Sequence, residues 1–192
     1  MNKQINIILI ILIIFSFSGC QNTAKSISND NIMVSQFGNI NSKNLNEYYY
    51  KKIKIGNTIV EVDLNFENKY IEKSKLIKVS QYLKNIEEHL NNAMQIIEDD
   101  YDLGTESEAA QSYLSIHQKN LDSNDLQKLF GEKKVSKKSF LSKLQVYRVG
   151  IYPENDEDFI IIDIQFPRSI TNYLMAVTFD STLKLTYIGI DS

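Results

Sequence analysis

Thr58-Ile59-Val60-Glu61-Val62-Asp63-Leu64-Asn65-Phe66 alternates apolar and polar side chains from Val60 onward, and the class of the fold follows from it. Successive side chains of a strand project to opposite faces. Val60, Val62, Leu64 and Phe66 therefore share one face, and Ile59, Glu61, Asp63 and Asn65 the other. That is the pattern of a half-buried antiparallel strand. Upstream, Tyr48–Ile55 is rich in aromatic and β-branched residues, and the Gly56-Asn57 pair between the two runs is a two-residue hairpin signal.

Beyond Ile71 the period changes. Leu76, Val79, Leu83, Ile86, Leu90, Met94 and Ile97 follow at spacings of three and four, one apolar stripe along a helix of about seven turns. A weaker repeat in Glu106–Lys119, through Ala109, Ala110, Tyr113 and Leu114, predicts a second helix. Asp122 or Ser123 is placed to cap a third, which carries Leu126, Leu129 and Phe130 and stops at Gly131. A short fourth fits around Phe140, Leu141 and Leu144. The last third then returns to strand signals at Gln145–Tyr152, Phe159–Phe166, Tyr173–Asp180 and Lys184–Ile190, separated by short breaks. Short connections favour an antiparallel meander. Strands, then helices, then strands, segregated along the chain, predict an α+β fold. The expected architecture is an antiparallel sheet, an N-terminal hairpin plus a C-terminal four-strand meander, packed with three or four central helices. No repeat or second-domain linker interrupts it.

The N-terminus carries a different message. Lys3 precedes the apolar run Ile7–Phe15, and Phe17-Ser18-Gly19-Cys20 ends in the chain's single cysteine. A charged n-region, an apolar h-region and small residues before a cut are the parts of an export signal. The four-residue ending resembles the lipobox of bacterial lipoproteins, with Phe17 in place of the usual Leu. That resemblance implies cleavage before Cys20, an S-diacylglycerol on its sulfur and an N-acyl chain on its amino group. An uncleaved anchor fits less well, since a spanning helix needs about 20 apolar residues and Ile5–Phe17 falls short with Asn6 inside it. A plain secretory signal would leave the position of Cys20 a coincidence. Each buried methylene contributes about 0.8 kcal/mol, so two or three acyl chains hold a protein on a bilayer durably. Gln21 after the cysteine resembles the outer-membrane sorting pattern, for a cell that has such a membrane.

The organisation expected is a lipoprotein signal peptide over residues 1–19, a lipidated flexible tether over 20–32, and a single α+β domain over 33–192. Residues 21–32 are polar and mostly small, with too little apolar surface to fold. A net charge of −3 argues against nucleic acid, which calls for a basic stripe.

Catalytic and metal chemistry is poorly provided for. His89 and His117 are the two histidines, neither in a His-Glu-x-x-His pattern, and no second cysteine offers a thiolate site. The seven glycines are scattered, so no phosphate-cradling loop is in sight, and there is no Gly-x-Ser-x-Gly elbow. Neither an enzyme, nor a metal, nor a cofactor beyond the covalent lipid is expected.

Two charge clusters remain. Glu154, Asp156, Glu157 and Asp158 crowd one inter-strand turn. They read as a solvated hairpin tip, as a calcium loop lacking the usual ligand alternation and glycine, or as an acidic docking surface for a basic partner. Lys133, Lys134, Lys137, Lys138 and Lys143 form the opposite cluster, suited to an exposed linker or to anionic headgroups near the anchor. The 11 tyrosines, Tyr48-Tyr49-Tyr50 among them, suit either cross-strand packing or an interface.

Arg148-Val149-Gly150-Ile151-Tyr152-Pro153, Thr171-Asn172-Tyr173-Leu174, Val177-Thr178-Phe179-Asp180 and the early Glu61–Phe66 together resemble a small bacterial family known only as a domain of unknown function. Members often close on Met-Glu-Ser, where this chain has Ile190-Asp191-Ser192. Such small acidic families are similar to the immunity partners of bacterial toxins, and the resemblance carries no catalytic residue with it. The expectation is a lipid-anchored envelope protein that binds another protein, toxin neutralisation being the sharpest form, with Glu154, Asp156, Glu157 and Asp158 as candidate partner-binding residues. The alternative is a structural or assembly lipoprotein of the envelope with no toxin partner.

Overall fold

The computed structural model of the chain describes residues 30–131 and 135–191. The signal segment, Cys20 and most of the tether lie outside those residues, as do Lys133 and Lys134.

The fold is α+β. Strands β3 (Tyr48–Ile55) and β4 (Thr58–Asn65) form the hairpin around Gly56-Asn57, with Gly56 at φ 56°. Helices α1 (Lys73–Lys84), α2 (Ile86–Asp102), α3 (Ala110–Asn120), α4 (Ser123–Phe130) and α5 (Lys137–Lys143) follow, with a 3₁₀ turn at Gly104–Glu106. Strands β5 (Gln145–Ile151), β6 (Ile160–Gln165), β7 (Leu174–Phe179) and β8 (Leu185–Asp191) complete a six-stranded sheet in the order β3-β4-β5-β6-β7-β8. A separate hairpin, β1 (Asn31–Val34) and β2 (Gly38–Asn41), packs beside α1, where the Ser80 hydroxyl donates to the Met33 carbonyl at 2.9 Å.

The sheet is mixed, which corrects the antiparallel expectation. β4 and β5 are parallel, with Glu61 opposite Arg148 and Leu64 opposite Ile151. Parallel neighbours need a long crossover, and the five helices supply it. Helix count also exceeds the three or four expected, because the long apolar stripe is cut at Asn85 (φ −111°, ψ 22°). Its N–H closes α1 on the Tyr82 carbonyl at 3.0 Å, and its carbonyl opens α2 by accepting from His89 at 3.2 Å. Asparagine is a weak helix former that tolerates such breaks. The stripe continues in phase across the cut, so periodicity alone is blind to it.

One face of the sheet, through Val62, Leu64, Val149, Ile151, Ile162 and Val177, packs on helix residues such as Leu76, Leu83, Ile97 and Tyr113 in a single core. Phe166 at the end of β6 is its aromatic hub, with ring centroids of Tyr113, His117, Phe130 and Phe140 within 5.7 Å. The Asp122 carboxylate caps α4 by accepting from the Asn124 and Asp125 N–H groups, and Gly131 ends it at φ 73°.

A buried carboxylate joins two helices. Asp100, near the end of α2, accepts from the Ser107 hydroxyl at 2.8 Å and from the N–H groups of Glu108, Ala109 and Ala110 at 2.7, 3.1 and 2.7 Å. It thus caps the N-terminus of α3, whose first N–H groups have no partner within the helix. Burial pushes this carboxyl up, but the hydrogen bonds from Ala110, Glu108, Ser107 and Ala109 prevail and hold it below the ordinary carboxylate range. Asp100→Ala should cost about 3 kcal/mol in denaturant unfolding at neutral pH. A carboxyl with a depressed native pKa stabilises fully above its unfolded value and loses that contribution as the pH falls through the native one. The gap between wild type and variant should therefore close on acidification below the ordinary carboxylate range.

Candidate functional site

The helices cover one face of the sheet. On the other, alternation presents Tyr48, Tyr50 and Lys52 from β3, Ile59, Glu61 and Asp63 from β4, Asp163 from β6, and Tyr187 from β8. Tyr48 and Tyr187 are 54% and 56% exposed, and Tyr48 stacks on Tyr50 with centroids 6.3 Å apart.

β5 departs from simple alternation. Val146 lies opposite Ile164, and Arg148 opposite Asp163, so Tyr147 is an extra residue, a bulge. A bulge re-aims side chains, and here it puts both Tyr147 and Arg148 on the open face. Glu61 lies beside Tyr147 and Tyr50 and pairs with Lys52 at 3.1 Å. Glu61 is pushed up by burial, yet Lys52, Tyr147 and Tyr50 around it bring it net below the usual range.

Arg148 is the centre. Its Nε and Nη2 donate to the two oxygens of Asp63 at 2.7 and 2.8 Å, a bidentate pair. Nη1 reaches Asp163 at 3.3 Å, and Nη2 also donates to the Tyr152 hydroxyl at 2.9 Å. Asn65 Nδ2 adds a further bond to Asp63. Asp63 is 1% exposed and Asp163 7%. Burial works against the charge on Arg148, but Asp63 and Tyr152 hold it firmly protonated. Burial pushes the Asp163 carboxyl up, and Arg148 only partly offsets this.

Two glycines let this layer lie flat. A Cβ on Gly150 would stand 2.6 Å from Nη2 of Arg148, and one on Gly189 would meet the Tyr187 ring that folds over it. The result is a tyrosine-rimmed surface around a partly desolvated ionic centre.

The acidic turn sits at the end of the two central strands, between β5 and β6. Glu154 accepts from the N–H groups of Glu67 and Asn68 and from Asn68 Nδ2, holding the segment after β4. Asp156 pairs with Lys75 at 3.5 Å and, through its carbonyl, takes the N–H of Ser181. Asn155 Oδ1 organises the turn by accepting from the N–H groups of Glu157 and Asp158, whose own side chains are exposed. Of the lysine cluster, Lys137 bridges to Glu98 and Asp102 of α2 at 2.9 and 2.6 Å. Cys20 lies outside the described residues.

Sequence reading placed Glu61, Asp63 and Asn65 on a non-core face but did not connect them with Arg148. An arginine inside a strand, facing acids inside another, was the available signal; the parallel register that joins them was not. Among the described residues no helix is long and apolar enough to cross a membrane, and no group of three or more His, Cys, Asp or Glu is arranged for a metal ion.

Arg148→Met removes the cation and leaves two buried acids facing each other, a change that should cost about 3–5 kcal/mol at neutral pH. Denaturant melts across pH should show the deficit shrinking on acidification, as Asp163 takes up a proton and the repulsion ends. A pH-independent deficit would show that packing, not charge, is what Arg148 supplies.

No protein-family model matches the chain, and comparison with curated proteins and with solved structures finds no match either.

Proposed function

We propose that this protein is a lipid-anchored component of a bacterial cell envelope that binds another protein through the open face of its sheet. The observation that carries the reading is the one-sided helical layer, which leaves Tyr48, Tyr50 and Ile59 exposed on β3 and β4, and Tyr187 exposed on β8 at the opposite edge of the same face. Tyrosine supplies rigid apolar area with a polar tip at small entropic cost, and it is enriched where proteins meet. The ionic centre beneath is already saturated by its own partners, so it organises the surface without offering a nucleophile and base. Glu157 and Asp158 at the rim add negative charge, which would speed encounter with a basic partner. A toxin whose active site is basic would be occluded by such a surface with no chemistry needed, which is the sharpest form of the proposal. The anchor would be Cys20, carrying S-diacylglycerol and an N-acyl chain, with the polar stretch after it serving as tether.

The anchor is tested by labelling. Cells fed a labelled fatty acid should transfer label to the wild-type chain and none to Cys20→Ala, which should also keep its signal; label in the variant removes the lipobox reading.

The surface is tested by site-specific photo-crosslinking in the native cell. A photoreactive residue at position 187 should give one discrete adduct, and the same residue at Lys119, on the helical side, should give none. Glu157→Gln with Asp158→Asn should slow adduct formation most at low salt. Equal adducts from both sides would refute the open face as the binding surface. An adduct with an envelope structural protein would favour an assembly role over toxin neutralisation.

A further inference from the structure

β3 closes one edge of the sheet, bonded to β4 on one side and to no strand on the other. Its register shows which backbone groups point outward. The Phe66 N–H donates to the Glu47 carbonyl at 2.9 Å, one step beyond the Tyr48–Asn65 pair. Hydrogen-bonded and non-hydrogen-bonded pairs alternate along an antiparallel ladder. The bonded pairs are therefore Tyr49–Leu64, Lys51–Val62, Ile53–Val60 and Ile55–Thr58. The N–H and C=O groups of Tyr48, Tyr50, Lys52 and Lys54 face away from the sheet. None of these groups has a partner among the described residues, and all four residues are exposed.

An open edge is a template for another strand, and proteins that keep it closed shorten it, bulge it or place proline or lysine on it. β3 runs eight residues in unbroken register, with neither bulge nor proline. What it carries is Lys51, Lys52 and Lys54. Pairing β3 with a second copy of itself would crowd both sets of lysines along one ladder, and like charges there are unfavourable. An acidic strand meets no such barrier. Lys52 is held by Glu61 at 3.1 Å and Lys51 by the Gln36 carbonyl at 2.7 Å, while Lys54 has no carboxylate partner among the described residues. The edge is thus net positive in a chain whose net charge is −3.

The two sides of an incoming strand would meet different surroundings. Tyr48, Tyr50, Lys52 and Lys54 project to the open face, so residues opposite them meet two rings and two cations. On the helical side, the half-buried Ile53 and Ile55 line a cleft in which Lys84 is outweighed by Glu87 and Glu88. An acid gains nothing there, and an apolar side chain finds the two isoleucines.

We propose that the edge of β3 takes an extended, acidic segment of another protein as an added antiparallel strand. Its carboxylates lie on the open-face side and its apolar residues on the helical side. Main-chain bonds give such an addition its affinity, and alternate side chains its specificity. The site is the rim of the sheet and not its face, and it stands whether or not the open face takes a partner.

The probe is the peptide Glu-Val-Glu-Val-Glu-Val-Glu, set against Lys-Val-Lys-Val-Lys-Val-Lys, with amide hydrogen exchange of the full-length chain read by NMR. The amides of Tyr48, Tyr50, Lys52 and Lys54 should exchange freely in the chain alone. They should become protected with the glutamate peptide and not with the lysine one, while Tyr49, Lys51 and Ile53 stay protected throughout. Methylating the glutamate nitrogens, which face β3 in the antiparallel pairing, should abolish that protection. Methylating the valine nitrogens, which face away, should leave it. Lys54→Glu should weaken the glutamate peptide by about tenfold, one exposed attraction becoming a repulsion, with the thermal midpoint unchanged. Protection that appears on raising the protein concentration alone would give the edge to a second copy and overturn the proposal. Equal protection by the two peptides overturns it too, as does none from the glutamate peptide at up to about 5 mM, where millimolar affinity would show.

Discussion

Arg148 spans three strands with one side chain. It grips Asp63 on β4 by two bonds, reaches Asp163 on β6, and is itself rooted in β5 between them. Two buried acids with no cation between them would repel each other strongly, and desolvation alone disfavours their charges. The arrangement is therefore stable in one register. Sliding β5 along β4 breaks the bidentate pair and strands Asp63 in a site that is 1% exposed. The seam matters because β4 and β5 are joined by the whole helical excursion, with no tight turn to fix their alignment. Apolar side chains on the other face favour burial but can repack after a shift; an ion pair with fixed fork geometry cannot.

The same constraint shapes the open face. A long arginine standing upright would make a ridge, whereas Gly150 gives its guanidinium a floor. Gly189 does the same for Tyr187. The bulge at Tyr147 then supplies a further aromatic on this side, beside Glu61 and stacked under Arg168 with the guanidinium carbon 3.5 Å from the ring centre. Local irregularities in β5 and β8 thus convert an ordinary sheet back into a flat, polar-aromatic surface. Sheets with one solvated face usually carry small polar residues or isolated charges there; this one carries large side chains in mutual contact.

Much of this was legible from sequence, and the limits have physical causes. Alternation in Thr58–Phe66 assigned each side chain of β4 to its face, because a period of two is set within the strand itself. The Asp122 cap and the Gly131 stop of α4 were visible because capping is local chemistry. The break at Asn85 was invisible because the apolar stripe keeps its phase through it. Hairpin β1–β2 escaped because its strands have four residues each, too few for a period to declare itself. The parallel seam, and with it the site around Arg148, depends on where a helical layer returns the chain, which no local pattern encodes. The acidic turn was conspicuous in sequence, yet Glu154 is spent on holding the segment after β4, while Asp156 stays largely exposed beside Lys75.

Arg168, in the loop after β6, braces the bulge from outside the sheet. Its guanidinium carbon lies 3.5 Å from the centre of the Tyr147 ring, and the bulge places that ring on the open face. Lifting Arg168 off the ring would give up a cation–π contact worth about 0.5–2 kcal/mol and leave the ring without that cover. The irregular strand and the loop that follows β6 therefore stabilise one another through a single stacked pair.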